Sequence, residues 1–561
     1  MEKAMSEHQE PVSRRWWKEA VVYQIYPRSF QDSNGDGIGD IAGIISHLDY
    51  LKDLGVDVVW LSPHYDSPNA DNGYDIRDYR KVMAEFGTMA DFDALLAGLK
   101  TRGMRLIVDL VVNHSSDEHV WFVESRKSKD NPYRDYYIWR PGRGDGPPND
   151  WRSYFSGSAW TLDPATGEYY LHLFADKQPD LNWENDKVRA EVYDLMRFWL
   201  DKGVDGFRMD VIPMISKEQT FPDYPPEHRE RTEYYHAVGP RLHEFLQEMN
   251  REVLSKYDVM TVGEAFGVTP EQTPDLVDER RGELNMIFNF DAVRLCNDGH
   301  RYRTWALPEL KAIYRRLEEN TGPHGWNTVF LSNHDNARLV SSFGDDAEPW
   351  REPSAKLLAT MLMTLHGTPF IYQGDELGMT NYPFTSVEQY DDIAVRNAWK
   401  AEVLTGRVTA SDFLEGMART SRDHSRTPMQ WSAKPNGGFT TAEKAWLAVN
   451  PNYPRINAEA ALADPGSIYH HYARLAELRR SHPALVYGGF QDLAPAHPKL
   501  FAYTRRLGEE TLLVLLNFSR ETIEVDLPSG VEIGEQLLGN LADPSKGKRL
   551  AGWEARIHRC R

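Results

Sequence analysis

The stretch Gly206-Phe207-Arg208-Met209-Asp210-Val211 is a short apolar run that breaks into a loop at a carboxylate, with an arginine two residues earlier. Side chains alternate along a strand, so Arg208 and Asp210 share one face. Three more segments have the same design: Asp109-Leu110-Val111-Val112-Asn113-His114, Val262-Gly263-Glu264-Ala265-Phe266 and Leu331-Ser332-Asn333-His334-Asp335-Asn336. Chemistry-bearing residues at the mouths of four strands are the habit of barrel enzymes. Paired acids so placed suit sugar chemistry, in which one attacks, one protonates and others grip hydroxyls.

Working outward, strand-like runs occur at 21–26, 56–62, 105–112, 203–209, 259–263, 286–290, 328–332 and 368–372. Amphipathic helical spacing follows at 41–54, 92–99, 188–200, 242–254, 307–317, 355–365 and 468–480. Repeated strand–helix units predict an α/β fold, a (β/α)8 TIM barrel. The barrel is expected over 1–112 and 187–482, split by an inserted subdomain at 113–186. Residues 121–183 of that insertion hold 14 aromatics in 63 positions, about twice the chain's 12%. Such rings suit stacking on sugar faces, although the insertion must also build a small core. A second insertion, 374–464, precedes the closing helix. Short alternating runs from 483 to 561 predict a C-terminal antiparallel β-sandwich domain.

At 561 residues the chain is long enough for two or three domains. Its net charge of −20 disfavours nucleic acid and acidic bilayers as partners. Cys296 and Cys560 are too few for a disulfide framework and read as plain thiols. The polar start, Met1 to Arg15, has no apolar secretory core, and no run of about 18 apolar residues offers a membrane span. A cytoplasmic monomer acting on a small saccharide is the simplest expectation.

Together these segments resemble the α-amylase superfamily of glycoside hydrolases, within its oligo-1,6-glucosidase, α-glucosidase and sucrose-isomerase branch. The resemblance runs from Trp16-Trp17 to the final β domain, and Gln178-Pro179-Asp180-Leu181-Asn182 is similar to a fifth motif of that branch. It implies Asp210 as nucleophile, Glu264 as general acid and base, and Asp335 as the carboxylate that holds sugar hydroxyls. Arg208 is expected to keep Asp210 ionised, and neighbouring carboxylates to keep Glu264 protonated. Tyr74 and Asp75 resemble the family's stacking ring and hydroxyl clamp. His114 and His334 resemble its paired hydrogen-bond donors, with Gln178 beside them. Arg422 is similar to the branch's arginine that pairs with the clamp aspartate, here Asp75, closing the pocket for exo action. Phe155 and Phe174 are the aromatic candidates from the insertion.

Asp32-Ser33-Asn34-Gly35-Asp36-Gly37-Ile38-Gly39-Asp40 places oxygen side chains at alternate positions, like half of an EF-hand loop. Asp32, Asn34, Asp36, the Ile38 carbonyl and Asp40 are candidate ligands for a structural calcium, or magnesium. The twelfth position is Gly43 rather than a bidentate Glu. No organic cofactor is implied.

Val211 should border the leaving-group site. In this branch valine there goes with α-1,6 linkages, and threonine or alanine with α-1,4. Isomerising relatives carry charged residues in the middle of a segment that here reads Arg294-Leu295-Cys296-Asn297-Asp298, and typically threonine at the Val211 position. Both departures favour hydrolysis of isomaltose-like disaccharides, isomaltulose included and extending to trehalulose and sucrose. Gly374-Asp375-Glu376-Leu377-Gly378-Met379 still looks very like the isomerases, and sucrose isomerisation is the alternative.

Overall fold

Eight parallel strands form the central sheet: β1 (Val22–Ile25), β2 (Val58–Leu61), β3 (Arg105–Leu110), β4 (Gly206–Met209), β5 (Met260–Glu264), β6 (Met286–Phe288), β7 (Thr328–Val329) and β8 (Thr368–Tyr372). The computed structural model describes residues 14–229, 233–299, 301–545 and 547–560. Most of the polar start read from Met1 to Arg15 lies outside them. The strand order is β6-β5-β4-β3-β2-β1-β8-β7. Between the two ends, Thr328 Oγ1 donates to the Ile287 carbonyl at 2.9 Å, so a side chain closes the ring where the ladder stops. This is the expected TIM barrel.

Alternation explains where its core sits. Val22, Val58, Trp60, Ile107, Met260, Val262, Met286, Phe288 and Phe370 form one buried cluster inside the barrel. Their neighbours Tyr23, Val59, Leu106, Val108, Phe207, Ile287 and Ile371 pack in a second cluster against the helices. At the C-terminal end the inward positions become polar: Gln24, Asp109, Arg208 and Glu264, all buried. The fold's last inward layer is thus the floor of a site.

The helices form where apolar spacing and caps agree. Ile41–Ser46 (α1) begins at Asp40, whose carboxylate accepts from Gly43 N, and Leu48–Leu54 (α2) follows after a break at His47. Met89–Thr101 (α3) carries a capping box, Thr88 with Asp91. Asn185 caps Asp186–Lys202 (α4), and Gly203, at φ 112°, ends it in the left-handed region that glycine tolerates. Leu242–Glu252 (α5), Leu307–Thr321 (α6), Arg351–Thr364 (α7), Ala410–Thr420 (α8) and Ile468–Ser481 (α9) complete the main set.

The first insertion folds as a three-stranded antiparallel sheet, with Glu168–Leu171 between Trp139–Arg140 and Trp160–Asp163. Its buried Trp151, Trp160 and Leu171 cluster with Val211 and Met214, so it packs onto the loop that follows β4. The C-terminal part is a five-stranded antiparallel sheet, ordered β9-β10-β11-β13-β12, where β9 is Gly489–Asp492, β10 Leu500–Leu507, β11 Glu510–Asn517, β12 Ile533–Gly539 and β13 Ala555–Cys560. Buried Arg505 anchors it by donating to the carbonyls of Thr364 and Leu485. Both cysteines are free. Among the described residues no helix is long and apolar enough to cross a membrane.

Candidate active site

Arg208 is the hub of the barrel mouth. Its side chain is 1% exposed, and Nη1 donates to Asp109 Oδ1 at 2.5 Å and to Asp210 Oδ1 at 2.6 Å. Nη2 lies 2.8 Å from Glu264 Oε2. One planar guanidinium therefore fixes three carboxylates on or just past β3, β4 and β5, a task a lysine's point charge could not share out. Glu264 Oε2 also accepts the N–H of Val211 at 3.0 Å. Val211 sits at φ 35° and ψ 38°, which β-branched residues avoid, and this turn aims its amide at Glu264.

Burial pushes the Asp210 carboxyl up, against the pull of Arg208 and with the help of Glu264 and Asp109. Asp335 is different. Burial would raise it, but His334, Arg422 and Arg426 hold it well below the usual carboxylate range. His334 Nε2 is 3.1 Å from Asp335 Oδ2, while Arg422 and Arg426 donate to Oδ1 at 3.1 and 2.9 Å. The site thus holds one fixed anion beside two acids that share a cation.

These groups line a cavity of about 390 Å³, the size of a small-ligand site. Tyr74, His114, Phe155, Phe174, Asp210, Val211, Glu264, Asp335 and Arg422 all reach it. Burial lowers His114 to about 4, so its ring is neutral. His334 stands directly behind: Tyr74 Oη is 2.7 Å from its Nε2, and the Gln24 amide donates to its Nδ1 at 2.7 Å.

The expected pairing of Arg422 with Asp75 is corrected. Arg422 instead binds Asp392 at 2.7 Å, Asp335 at 3.1 Å and Asp71 at 3.2 Å. Asp75 is fully buried, and its two oxygens accept the backbone N–H groups of Ala70 (2.8 Å) and Asp71 (2.9 Å). It shapes the loop, and Asp71 reaches the cavity in its place. Gln178 also stands one step back, donating to Asp71 Oδ2 at 3.2 Å and accepting from Ala175 N at 3.0 Å.

In the loop at 32–40, Asp32 accepts from the N–H groups of Asn34, Gly35 and Gly37 and from the Thr440 hydroxyl. Asn34 and Asp36 each accept from the N–H two residues on, and Asp40 takes Ser33 N as well as its helix cap. Among the described residues no three His, Cys, Asp or Glu side chains gather as metal ligands. The available set is therefore two or fewer carboxylates together, plus Asn34 and carbonyl oxygen. Such hard oxygen donors fit calcium or magnesium and no softer metal.

Residues 24–488 match the alpha amylase catalytic-domain family, and residues 490–549 the C-terminal domain of maltogenic amylase. The chain belongs to the alpha-amylase family. It is a glycoside hydrolase-family enzyme by that membership. It is 55% identical to the oligo-1,6-glucosidase of Parageobacillus thermoglucosidasius, over 98% of this chain and 100% of the relative. It is 54% identical to that of Halalkalibacterium halodurans, over 98% and 99%. Among solved structures it is similar to the trehalulose synthase of Pseudomonas mesoacidophila, with 50% identity, a TM-score of 0.96 and 98% and 100% of the two chains covered. The isomaltulose synthase of Protaminobacter rubrum gives 49%, 0.97, and the same coverage.

Sequence reasoning missed Asp71 and Asp392, since nothing in a loop's residue order shows which of its acids turns inward. It also missed Lys217, which is 1% exposed and donates to Asn113 Oδ1 and lies 2.9 Å from Asp180 Oδ2. A lysine closing the apolar run Ile212-Pro213-Met214-Ile215-Ser216 was the available signal. Phe266, Phe290 and Arg294 form another wall, with the guanidinium 4.2 Å over Phe266.

Proposed function

We propose that this protein is a retaining, exo-acting α-glucosidase that hydrolyses short α-1,6-linked glucosides such as isomaltose and isomaltulose. The observation that carries the reading is the single guanidinium shared by Asp210 and Glu264. Carboxylates joined that closely suit a double displacement, for which about 5–5.5 Å is needed, rather than the wider gap that admits a water between them.

In the first step an Asp210 oxygen attacks the anomeric carbon and the glycosidic bond breaks. Glu264 gives its proton to the departing oxygen. Arg208 and Val211 N both occupy Oε2, which leaves Oε1 as the proton carrier. In the second step a water attacks the glucosyl ester, Glu264 Oε1 takes its proton, and Asp210 leaves as carboxylate. The glucose keeps its α configuration. Asp335, held as an anion, and His114 grip the ring hydroxyls, with Tyr74 as the floor and His334 behind it to hold Tyr74 and Asp335 in place. Arg422, tied to Asp71 and Asp392, ends the cavity behind the glucose and imposes exo action. Val211, Phe266 and Phe290 form the apolar wall on the leaving-group side.

We infer that a divalent cation, calcium or magnesium, would be held on the loop at 32–40 by no more than two of Asp32, Asp36 and Asp40, together with Asn34 and the Ile38 carbonyl. There it would supply stability and take no part in the chemistry. Sucrose isomerisation is the second reading, favoured by the fold similarity to the two synthases. Incubation with sucrose and with isomaltose separates them. Glucose released from isomaltose with its initial α anomer, seen by proton NMR, supports the proposal. Conversion of sucrose mainly to isomaltulose or trehalulose refutes it.

A further inference from the structure

Behind the loop that follows β3 lies a cavity of about 540 Å³, and none of its lining residues reaches the catalytic one. That loop separates the two. His114 faces the catalytic cavity, and its backbone carbonyl accepts from Tyr79 Oη at 2.9 Å. Tyr79 and His119 line the outer cavity, which opens between the strand Asp78–Val82, the helix Val120–Ser125 and α4.

Its polar groups divide into engaged and free. Arg77 binds Asp66 at 2.9 Å and Glu118 at 3.0 Å, and Arg80 binds Asp194. Among the described residues Glu191, on α4, has no hydrogen-bond or ion-pair partner, and Asp78 accepts only the N–H of Arg80. His119 is 5% exposed, and its Nδ1 accepts the Trp121 N–H at 3.1 Å. Burial lowers this ring to about 4, so it is neutral and carries its proton on Nε2. Among the described residues that N–H is unpartnered, as is the indole N–H of Trp121. The half-buried Trp121 ring lies between Val120 and Val123, both exposed.

The cavity therefore offers two carboxylates that accept, two N–H groups that donate, and an aromatic face flanked by methyl groups. A cation would leave the donors unmatched, and an anion would meet two unpaired carboxylates. A neutral pyranose answers all three features, since its hydroxyls donate and accept and its C–H face lies flat on a ring. The volume admits one sugar ring or two.

We propose that this cavity is a second saccharide site, which holds a glucose or a disaccharide while the catalytic cavity is occupied. Trp121 carries the sugar's apolar face, Glu191 and Asp78 accept from its hydroxyls, and His119 Nε2 donates. The proposal goes beyond the α-glucosidase reading and does not depend on it.

Saturation-transfer NMR of glucose, which hydrolysis does not consume, tests it on the whole protein. The catalytic cavity is first filled with micromolar deoxynojirimycin, an imino sugar. The wild type should still bind glucose, and Glu191→Ala and Trp121→Ala should each raise the Kd of that remaining site at least about fivefold. Both variants should hydrolyse nitrophenyl α-glucoside at wild-type rates. Glu191 lies on the open side of α4, so its variant remains informative if Trp121→Ala does not fold. Loss of all glucose binding in the filled wild type overturns the proposal, as does binding that Glu191→Ala leaves unchanged. An imino sugar that does not inhibit counts against the α-glucosidase reading alone, because the difference between wild type and variants still reports the second site.

Discussion

Asp71 and Asp75 are four residues apart, and truncating each to alanine should have opposite consequences. Asp75 accepts two backbone N–H groups in a fully buried position. Removing it leaves both donors without an acceptor, at about 1–3 kcal/mol each, so Asp75→Ala should cost about 2–6 kcal/mol of stability. Asp71 lines the cavity, and its partners Arg422 and Gln178 can turn to water that enters there. Arg422 also keeps Asp392 and Asp335. Asp71→Ala should therefore leave the melting temperature within a degree or two, by the usual scale of a change below about 1 kcal/mol. What it loses is a charged acceptor for sugar hydroxyls, worth about 1.5–3 kcal/mol, which corresponds to roughly a 10- to 150-fold fall in kcat/KM. Nitrophenyl α-glucoside kinetics and thermal unfolding of the two variants suffice. If Asp75→Ala melts like the wild type and loses activity while Asp71→Ala stays active, the assignment of the clamp is wrong.

Asp210→Asn should reduce kcat by at least about 10⁴-fold with the fold retained by circular dichroism; wild-type turnover would end the nucleophile assignment. Glu376 lies outside the site, accepting from Tyr23 and Tyr50, and burial raises its carboxyl to about 7. The folded state then holds a proton that the unfolded state releases from its ordinary value of 4.5 upward, so stability falls as pH climbs from about 4.5 to about 7. The swing is about 3 kcal/mol, and Glu376→Gln should lessen the slope of the melting-temperature profile, most of all near pH 7, while Asp75, Asp375 and Asp423, each raised to about 6, keep the rest; an unaltered slope refutes it. EDTA should lower the melting temperature, and added calcium restore it, by about 2.7 kcal/mol at a hundredfold excess over Kd. Initial rates well below the transition should stay constant, and a melting curve indifferent to EDTA would remove the metal from the loop at 32–40.

What the sequence showed, and what it hid, follows from how each group is held. Arg208, Asp210 and Glu264 sit on or next to strands, where a period of two decides which side chains face inward. Their meeting on one guanidinium needed only the fold to be right. Arg422 comes from the loop between α8 and the closing helix, and no periodicity relates it to an acid some 350 positions earlier. The resemblance offered Asp75, whereas the loop turns Asp75 toward its own backbone and Asp71 outward, a choice made by two N–H groups that a residue string does not display. The helix at 41–54 split for a similar local reason: His47 takes φ −113° and ψ 15°, outside the helical region, between two segments whose apolar spacing reads as one.

The same division separates chemistry from selectivity in this molecule. Asp210 and Glu264 stand on the barrel, joined by the buried guanidinium of Arg208. The walls of the cavity, Phe155 and Phe174 on the first insertion, Arg422 and α8 on the second, and Asn297 and Gly299 beside them, lie outside the barrel strands. Changes in those segments can therefore alter what the cavity accepts while the Arg208 network stays in place. Relatives named for hydrolysis and for isomerisation each share about half their residues with this chain, as expected if a common barrel can carry different walls.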